Sequence, residues 1–341
     1  MVSDNRQLVI DKFGTFLGKH SERLRVSMKG KVVEEKPFHE IEHILVASGG
    51  VALSTDLIQE CAERGIPISF ISGLGKPYAK LMSPGLVGTV KTRREQLLAY
   101  LDGRGVALAR AFSGGKVKNQ AVLLKYMAKY RRETAPELFE SVRTAALALE
   151  DFAQRIRRVE AKDVDEARQE LLTLEGHAAK VYWEAASELL IPETGWKGRQ
   201  TRGAEDLVNS TLNYGYGILY CQMERAIVLA GLDPYAGFLH ADRAGKPSLV
   251  LDMVEEFRQM AVDKAVFGML NKGTNLELVD GRLTEESRRA IAQKVNERLS
   301  SEEPYEGKRH KLRTIIQAQT RHVATFARGE VKEYRPFVGR W

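Results

Sequence analysis

A single histidine, His240, stands 12 residues before Asp252 and 15 before Glu255, with the basic turn Ala244-Gly245-Lys246-Pro247-Ser248 between them. Asp252 and Glu255 are three apart, so a helix starting near Pro247 carries both on one face. Ser248 is the expected N-cap of that helix. An imidazole ahead of the helix and carboxylates in its second turn could hold a divalent cation between them. The alternative for the same spacing is a structural histidine and a solvated acidic face. In a chain with excess positive charge, the cation reading points to phosphate-ester chemistry.

Two further regions supply polar groups inside apolar helical patterns. In Leu174-Glu175-Gly176-His177, a mid-helix glycine costs about 1 kcal/mol relative to alanine. Gly176 therefore suggests close approach of something to the face beside Glu175; the alternative for Glu175 is a solvated glutamate. In the stretch from Asp206 to Tyr220, Asn209 and Tyr214 sit among apolar neighbours. Buried, they must find hydrogen-bond partners, either in a core network or as a polar wall for a nucleic acid. Gly73-Leu74-Gly75-Lys76 and Ser113-Gly114-Gly115-Lys116 read as glycine-lysine loops. Neither has the phosphate-loop spacing with a following Ser or Thr, so no nucleotide cofactor is expected.

The elements that must position these groups fall into two halves. Residues 1–84 carry short, partly alternating apolar runs: Leu8–Ile10, Thr15–Leu17, Leu24–Met28, Lys31–Glu35, Ile44–Ala47, Ile68–Ile71 and Pro77–Leu81. Lys29-Gly30 is a hairpin turn. One helix, Ser54 to Arg64, ends at Gly65. This is a small β-rich domain, a sandwich or open barrel. A linker at 85–92 follows the Ser83-Pro84-Gly85 break. From 93 to 341 the apolar spacing is helical, with breaks near Gly114-Gly115, Pro136, Pro192–Gly195 and Gly273. The expected class is α+β, a sandwich-like N-terminal domain followed by a larger all-α catalytic domain.

The 341 residues favour two domains. Lys and Arg number 52 against 45 Asp and Glu, a net charge of +7 that suits a polyanionic partner. The basic runs Lys116–Lys118, Lys129–Arg132 and Lys308–Arg313 read as solvated faces, several interleaved with aromatics as suits backbone contacts to DNA. Two isolated cysteines, Cys61 and Cys221, make neither a disulfide framework nor a zinc cluster and point to the cytoplasm. No membrane span and no secretory leader pattern is present in the sequence.

Leu174-Glu175-Gly176, Asn209–Tyr214, Gly231–His240, Pro247–Arg258 and Tyr334-Arg335-Pro336-Phe337 together resemble the CRISPR-associated spacer-acquisition integrase and endonuclease family, the universal large subunit of the CRISPR adaptation complex. The resemblance spans essentially the whole chain. It implies a catalytic metal, Mg²⁺ or Mn²⁺, held by Glu175, His240 and Glu255, with Asp252 as a supporting or alternative ligand. Asn209, Tyr214, Lys246, Ser248 and Arg258 resemble lining positions of the same DNA pocket. It implies a homodimer, with the β-rich domain as the natural dimer surface. Two such homodimers would flank a dimer of a smaller CRISPR-associated adaptation protein, acting on double-stranded DNA of protospacer and repeat array.

The implied reaction is transesterification, in which the 3′-hydroxyl of a short DNA fragment attacks a phosphate at the repeat edge. One ester replaces another, and no ATP is consumed. His177 or a metal-bound water are candidate general bases. Two other functions remain compatible with the residues: a general metal-dependent nuclease for branched DNA or RNA in repair, and a non-catalytic nucleic-acid-binding scaffold.

Overall fold

Short alternating segments in the first 83 residues pair into two four-stranded sheets around one small core. In the computed structural model, which describes residues 6–83, 90–190, 195–196, 198–200 and 203–340, the strands are β1 (Gln7–Ile10), β2 (Thr15–His20), β3 (Arg23–Met28), β4 (Lys31–Pro37), β5 (His43–Val46), β6 (Ala52–Leu53), β7 (Ile68–Ile71) and β8 (Pro77–Leu81). One sheet has the order β4-β3-β2-β6, the other β1-β5-β7-β8. The β3–β4 hairpin turns at Lys29 and Gly30, both at positive φ, the twist-compatible form of a two-residue turn. Helix α1 (Thr55–Glu63) is capped by the Ser54 hydroxyl and followed by Gly65 at φ +67°. Leu17, Leu24 and Val26 from one sheet, Leu8, Ile44 and Ile68 from the other, and Leu57 and Cys61 from α1 share a core. The sandwich-like expectation holds, with parallel β1–β5–β7 pairing that short-range patterning does not reveal.

The remaining chain is mostly helical: α2 (Val90–Ala99), α3 (Gly103–Ala128), α4 (Arg131–Thr134), α5 (Pro136–Arg158), α6 (Val164–Glu188), α7 (Leu207–Leu229), α8 (Ser248–Val254), α9 (Lys264–Leu270), α10 (Glu285–Ser300) and α11 (Leu312–Ala327). Two small hairpins interrupt it, β9 (Leu278–Val279) with β10 (Arg282–Leu283) and β11 (Glu302–Tyr305) with β12 (Lys308–Lys311). Aspartates cap α3, α6 and α7 through their side chains (Asp102, Asp163 and Asp206). Of the expected linker, 85–89 lies outside the described residues, as do Pro84 and Pro192; helix α2 already begins at Val90.

Strand β5 joins the two halves. It is buried on both faces, with Ile44 and Val46 in the small core and Leu45 in the large helical one. A second joint lies where the turn after β7 meets α7. A Cβ on Gly217 would stand 1.6 Å from the Gly75 carbonyl oxygen, and one on Gly75, at φ +77°, 2.6 Å from the Tyr214 Cα. Gly73-Leu74-Gly75-Lys76 is thus a turn whose backbone seats against a helix.

Ser113-Gly114-Gly115-Lys116 is not a loop. Helix α3 runs through it without a break. Gly115 is small because Pro336 passes over it; a Cβ there would meet the Pro336 Cβ at 2.8 Å. The glycines allow close packing within a long buried helix rather than ending it.

Candidate active site

Three parts of the helical half converge: the middle of α3, the middle of α6, and α8 with the loop before it. The loop is fixed first. The Gln96 amide of α2 donates to the carbonyls of Asp233 (2.9 Å) and Ala236 (2.7 Å) and accepts from the Asp233 N–H (2.8 Å). Gly237 seats directly on the start of α8, where a Cβ would lie 2.7 Å from Ser248. Ser248 is not the N-cap, since Pro247 holds that position and Ser248 is the first helical residue. Its hydroxyl accepts from the Gly237 N–H at 2.9 Å and donates to the Tyr235 carbonyl. Ser248 is fully buried and clasps the loop rather than lining a pocket. Lys246 is half-buried in the turn before it.

Asp252 has no exposed surface, and both its oxygens are committed. Oδ2 accepts from the N–H groups of Phe238 (2.6 Å) and Leu239 (3.0 Å). Oδ1 accepts from the His240 N–H (2.8 Å) and pairs with His240 Nδ1 at 2.7 Å. Burial opposes the imidazolium, but Asp252 and the nearby charges of Glu255 and Glu175 raise the His240 pKa above its ordinary value.

Glu175 and Glu255 meet on one ammonium. Lys116 Nζ lies 2.6 Å from Glu175 Oε1 and 2.8 Å from Glu255 Oε2. Lys116, expected on a solvated face, is only 12% exposed. Burial works against its charge, and the two carboxylates outweigh burial, raising its pKa. The other Glu255 oxygen pairs with Arg258 at 3.1 Å. Burial pushes the Glu255 carboxyl up, but Arg258, Lys116 and His240 hold it well below the usual range. Arg258 stacks on Tyr216 at 4.7 Å and donates to the Tyr220 hydroxyl at 2.7 Å. A cavity of about 350 Å³, lined in part by Lys76, Arg199, Tyr216, Tyr220 and Arg258, opens beside them.

Asp252, Glu255, Glu256, Gln259 and Asp263 would share one face of an uninterrupted helix. All five are buried. The chain instead turns at Glu255–Phe257 and passes through a π-helical segment, Gln259–Asp263, of the kind often found at functional sites. The carboxylates are thereby splayed to separate partners. Asp263 accepts from Tyr182 (2.7 Å) and Tyr216. Glu256 accepts from the Tyr334 hydroxyl (2.6 Å) and the Phe337 N–H (2.9 Å).

Burial pushes Glu256 up to about 8, only partly offset by those two donors. Below its ordinary value of 4.5 both folded and unfolded chains are protonated here. Between there and about 8 the folded protein keeps a proton that the unfolded chain has lost, so stability falls as pH rises. The expected slope is about 1.4 kcal/mol per pH unit within that window. Melting curves of the wild type and Glu256→Gln across it test this; the variant should lose that slope, and equal slopes would assign the titration to another group.

Other expected site residues lie elsewhere. The Asn209 amide is consumed by the Gly198 carbonyl (2.9 Å), the Gln200 N–H (2.8 Å), Arg199 (3.0 Å) and Asp206 (2.7 Å), so it organises the loop before α7. Tyr214 packs at the Gly75 joint, near Arg288 and Asp11 rather than near Arg258. A Cβ on Gly176 would meet nothing within 4 Å, so no close approach among the described residues explains that glycine. His177 is exposed on the outer face of α6 beside Phe152, away from the junction.

Lys116, Tyr216 and Tyr220 were not expected at the site. A signal for Lys116 exists: it is four residues after Phe112, three before Asn119 and seven before Leu123, all buried on α3.

A family model described as CRISPR associated protein Cas1 matches residues 8–297. The CRISPR-associated endonuclease Cas1 1 of Archaeoglobus fulgidus is 38% identical over 347 residues, covering 98% of this chain and 100% of the relative. Among solved structures, a casposase bound to integration product superposes with a TM-score of 0.81 at 21% identity, over 96% of this chain and 92% of that one. A chain of a Cas6-RT-Cas1–Cas2 complex superposes with a TM-score of 0.77 at 18% identity, over 99% of this chain and 36% of that one.

Proposed function

The chain belongs to the CRISPR-associated protein Cas1 family, and from that premise we propose that it is a metal-dependent DNA endonuclease and integrase that joins the 3′-hydroxyl of a short fragment to a phosphate at the edge of a repeat array. The observation that carries this reading is the meeting of Glu175 and Glu255 on one buried cation, with the Asp252-oriented His240 beside them.

Two buried carboxylates and an imidazole are the donor types a divalent ion takes, though among the described residues no three such groups stand ready around one ion as they lie. Glu175 Oε2 is buried and accepts no hydrogen bond among the described residues, and Glu255 Oε2 faces the Lys116 ammonium that a bound ion would replace. His240 Nδ1 is committed to Asp252, which leaves Nε2 as the ring's other nitrogen. Oxygen donors suit Mg²⁺, and an imidazole is more readily accepted by Mn²⁺. Glu175, His240 and Glu255 would hold the ion, with Asp252 as orienting support. Once bound, such an ion polarises the phosphoryl oxygen and steadies the departing 3′-oxygen.

The chain's own groups do the rest. Asp252 favours the imidazole tautomer protonated at Nδ1 and fixes the ring's orientation. Arg258, pinned by Tyr216 and Tyr220, holds Glu255 in place. Burial keeps these charges strongly coupled. The DNA hydroxyl is the nucleophile, so no covalent side-chain nucleophile and no nucleotide cofactor is required. Lys76 and Arg199 at the adjacent cavity suit DNA phosphates, contacted largely without regard to sequence.

The division into a β-rich unit at 1–84, a linker at 85–92 and a catalytic unit at 93–341 belongs to the same proposal. Phe13, Phe16, Val32 and Val33 are exposed on the β-rich unit, an apolar surface suited to a homodimer. The smaller adaptation protein would bridge two homodimers, in keeping with the Cas1–Cas2 assembly named for one structural neighbour. No described helix is long and apolar enough to cross a membrane. A protein that acts on a repeat array would work where that DNA lies, in the cytoplasm.

The test offers a 3′-hydroxyl DNA fragment and a supercoiled repeat-bearing plasmid with Mg²⁺ or Mn²⁺. Joined products at the repeat edge are expected. Cleavage alone would favour the repair nuclease, and DNA retention without metal-dependent products would favour the scaffold.

A further inference from the structure

We propose that Lys116 is the resident counter-ion of the Glu175–Glu255 pair, and that a divalent cation enters only by displacing its ammonium. This rests on the metal-site reading above. Lys116 Nζ stands 2.6 Å from Glu175 and 2.8 Å from Glu255, and the three side chains are 12%, 10% and 2% exposed. The ammonium thus sits where a metal shared by the two carboxylates would sit. Among the described residues, no three His, Cys, Asp or Glu side chains form a group that could hold a metal ion as they lie.

The charges already balance. Glu175 and Glu255 face Lys116 and Arg258, two carboxylates against two cations. A doubly charged ion added to this buried set would leave uncompensated positive charge with little screening. One resident cation must leave. Arg258 is held by Tyr216, Tyr220 and Glu255. Lys116 has a flexible four-carbon stem and pairs only with the two carboxylates among the described contacts.

The helix beneath Lys116 does not yield. Asn119, three residues on, donates to the carbonyls of Glu256 (2.8 Å) and Phe337 (2.9 Å) and accepts from the Gly339 N–H (2.8 Å). Pro336 covers Gly115. The motion is therefore confined to the lysine side chain. Without metal, the ammonium neutralises Glu175, and Glu255 shares it with Arg258.

Calorimetric titration of the full chain with Mn²⁺ tests this in wild type, Lys116→Met, Lys116→Gln and Glu175→Gln, with melting curves in EDTA and in Mn²⁺. Both Lys116 variants should bind Mn²⁺ on the order of tenfold more tightly than wild type, because a competing buried cation is gone. Lys116→Met should melt below wild type in EDTA and recover with Mn²⁺. Lys116→Gln keeps a neutral donor and should remain folded in either condition. Unchanged or weaker Mn²⁺ binding in both Lys116 variants, with binding lost in Glu175→Gln, overturns this inference alone. Mn²⁺ binding that survives Glu175→Gln overturns the metal-site reading and this inference with it.

Discussion

Glu175→Gln, His240→Ala and Glu255→Gln should each lower the rate of DNA joining by about 10³-fold or more while DNA retention persists. The three side chains come from α6, the loop before α8 and the turn after it; Glu175 and Glu255 share Lys116, and His240 pairs with Asp252. Among the described residues Glu175 bonds only Lys116, so its amide variant loses charge without losing shape. Glu255→Gln leaves Arg258 stacked on Tyr216 and bonded to Tyr220. His240→Ala removes the ring but leaves the His240 N–H on Asp252. Rates are measured with a 3′-hydroxyl fragment and a repeat-bearing plasmid, and binding by mobility shift. Near-wild-type joining by any variant removes that residue from the reaction.

Asp252→Ala should be the most destabilising single change at the site, by about 3–5 kcal/mol. The carboxylate is fully buried and satisfies three successive backbone N–H groups, Phe238, Leu239 and His240, besides the imidazole. Removing it orphans all of these donors in a dry environment. Asp252→Asn keeps the volume but turns one acceptor into a donor facing N–H groups, and should cost nearly as much. Denaturant unfolding measures the loss. A change under 1 kcal/mol for Asp252→Ala would mean that the loop finds other partners and that His240 does not depend on this clasp.

The local features of the fold were legible. Alternating apolar runs marked the strands, and the Lys29-Gly30 turn and the Gly65 helix stop followed from backbone chemistry. The order of strands was not, because β1 and β7 reach β5 across long separations that no local pattern encodes. Ser113-Gly114-Gly115-Lys116 was misread because glycines that break an isolated helix can also make room for a crossing chain, here Pro336.

The site was legible as residue types but not as partnerships. Spacing put Asp252 and Glu255 on one face, yet one side chain goes to the His240 loop and the other to Lys116 and Arg258. Asn209 and Tyr214 stood out as polar groups in an apolar helix, and both are used for packing and loop order. Tyr216, two residues from Tyr214, faces Arg258 because a helix turns about 100° per residue, a phase that composition alone does not reveal. The hold of Tyr334–Gly339 on Glu256 and Asn119 spans most of the chain, and no spacing rule reports it.

Glu175, His240 and Glu255 should share one divalent cation. Diffraction from crystals grown with Mn²⁺, recorded at the manganese edge, tests it most directly. One anomalous peak is expected within bonding distance of a Glu175 oxygen, a Glu255 oxygen and His240 Nε2, with Lys116 turned away. A peak on other residues, or Lys116 still bridging the two carboxylates in metal-saturated protein that joins DNA, would contradict it.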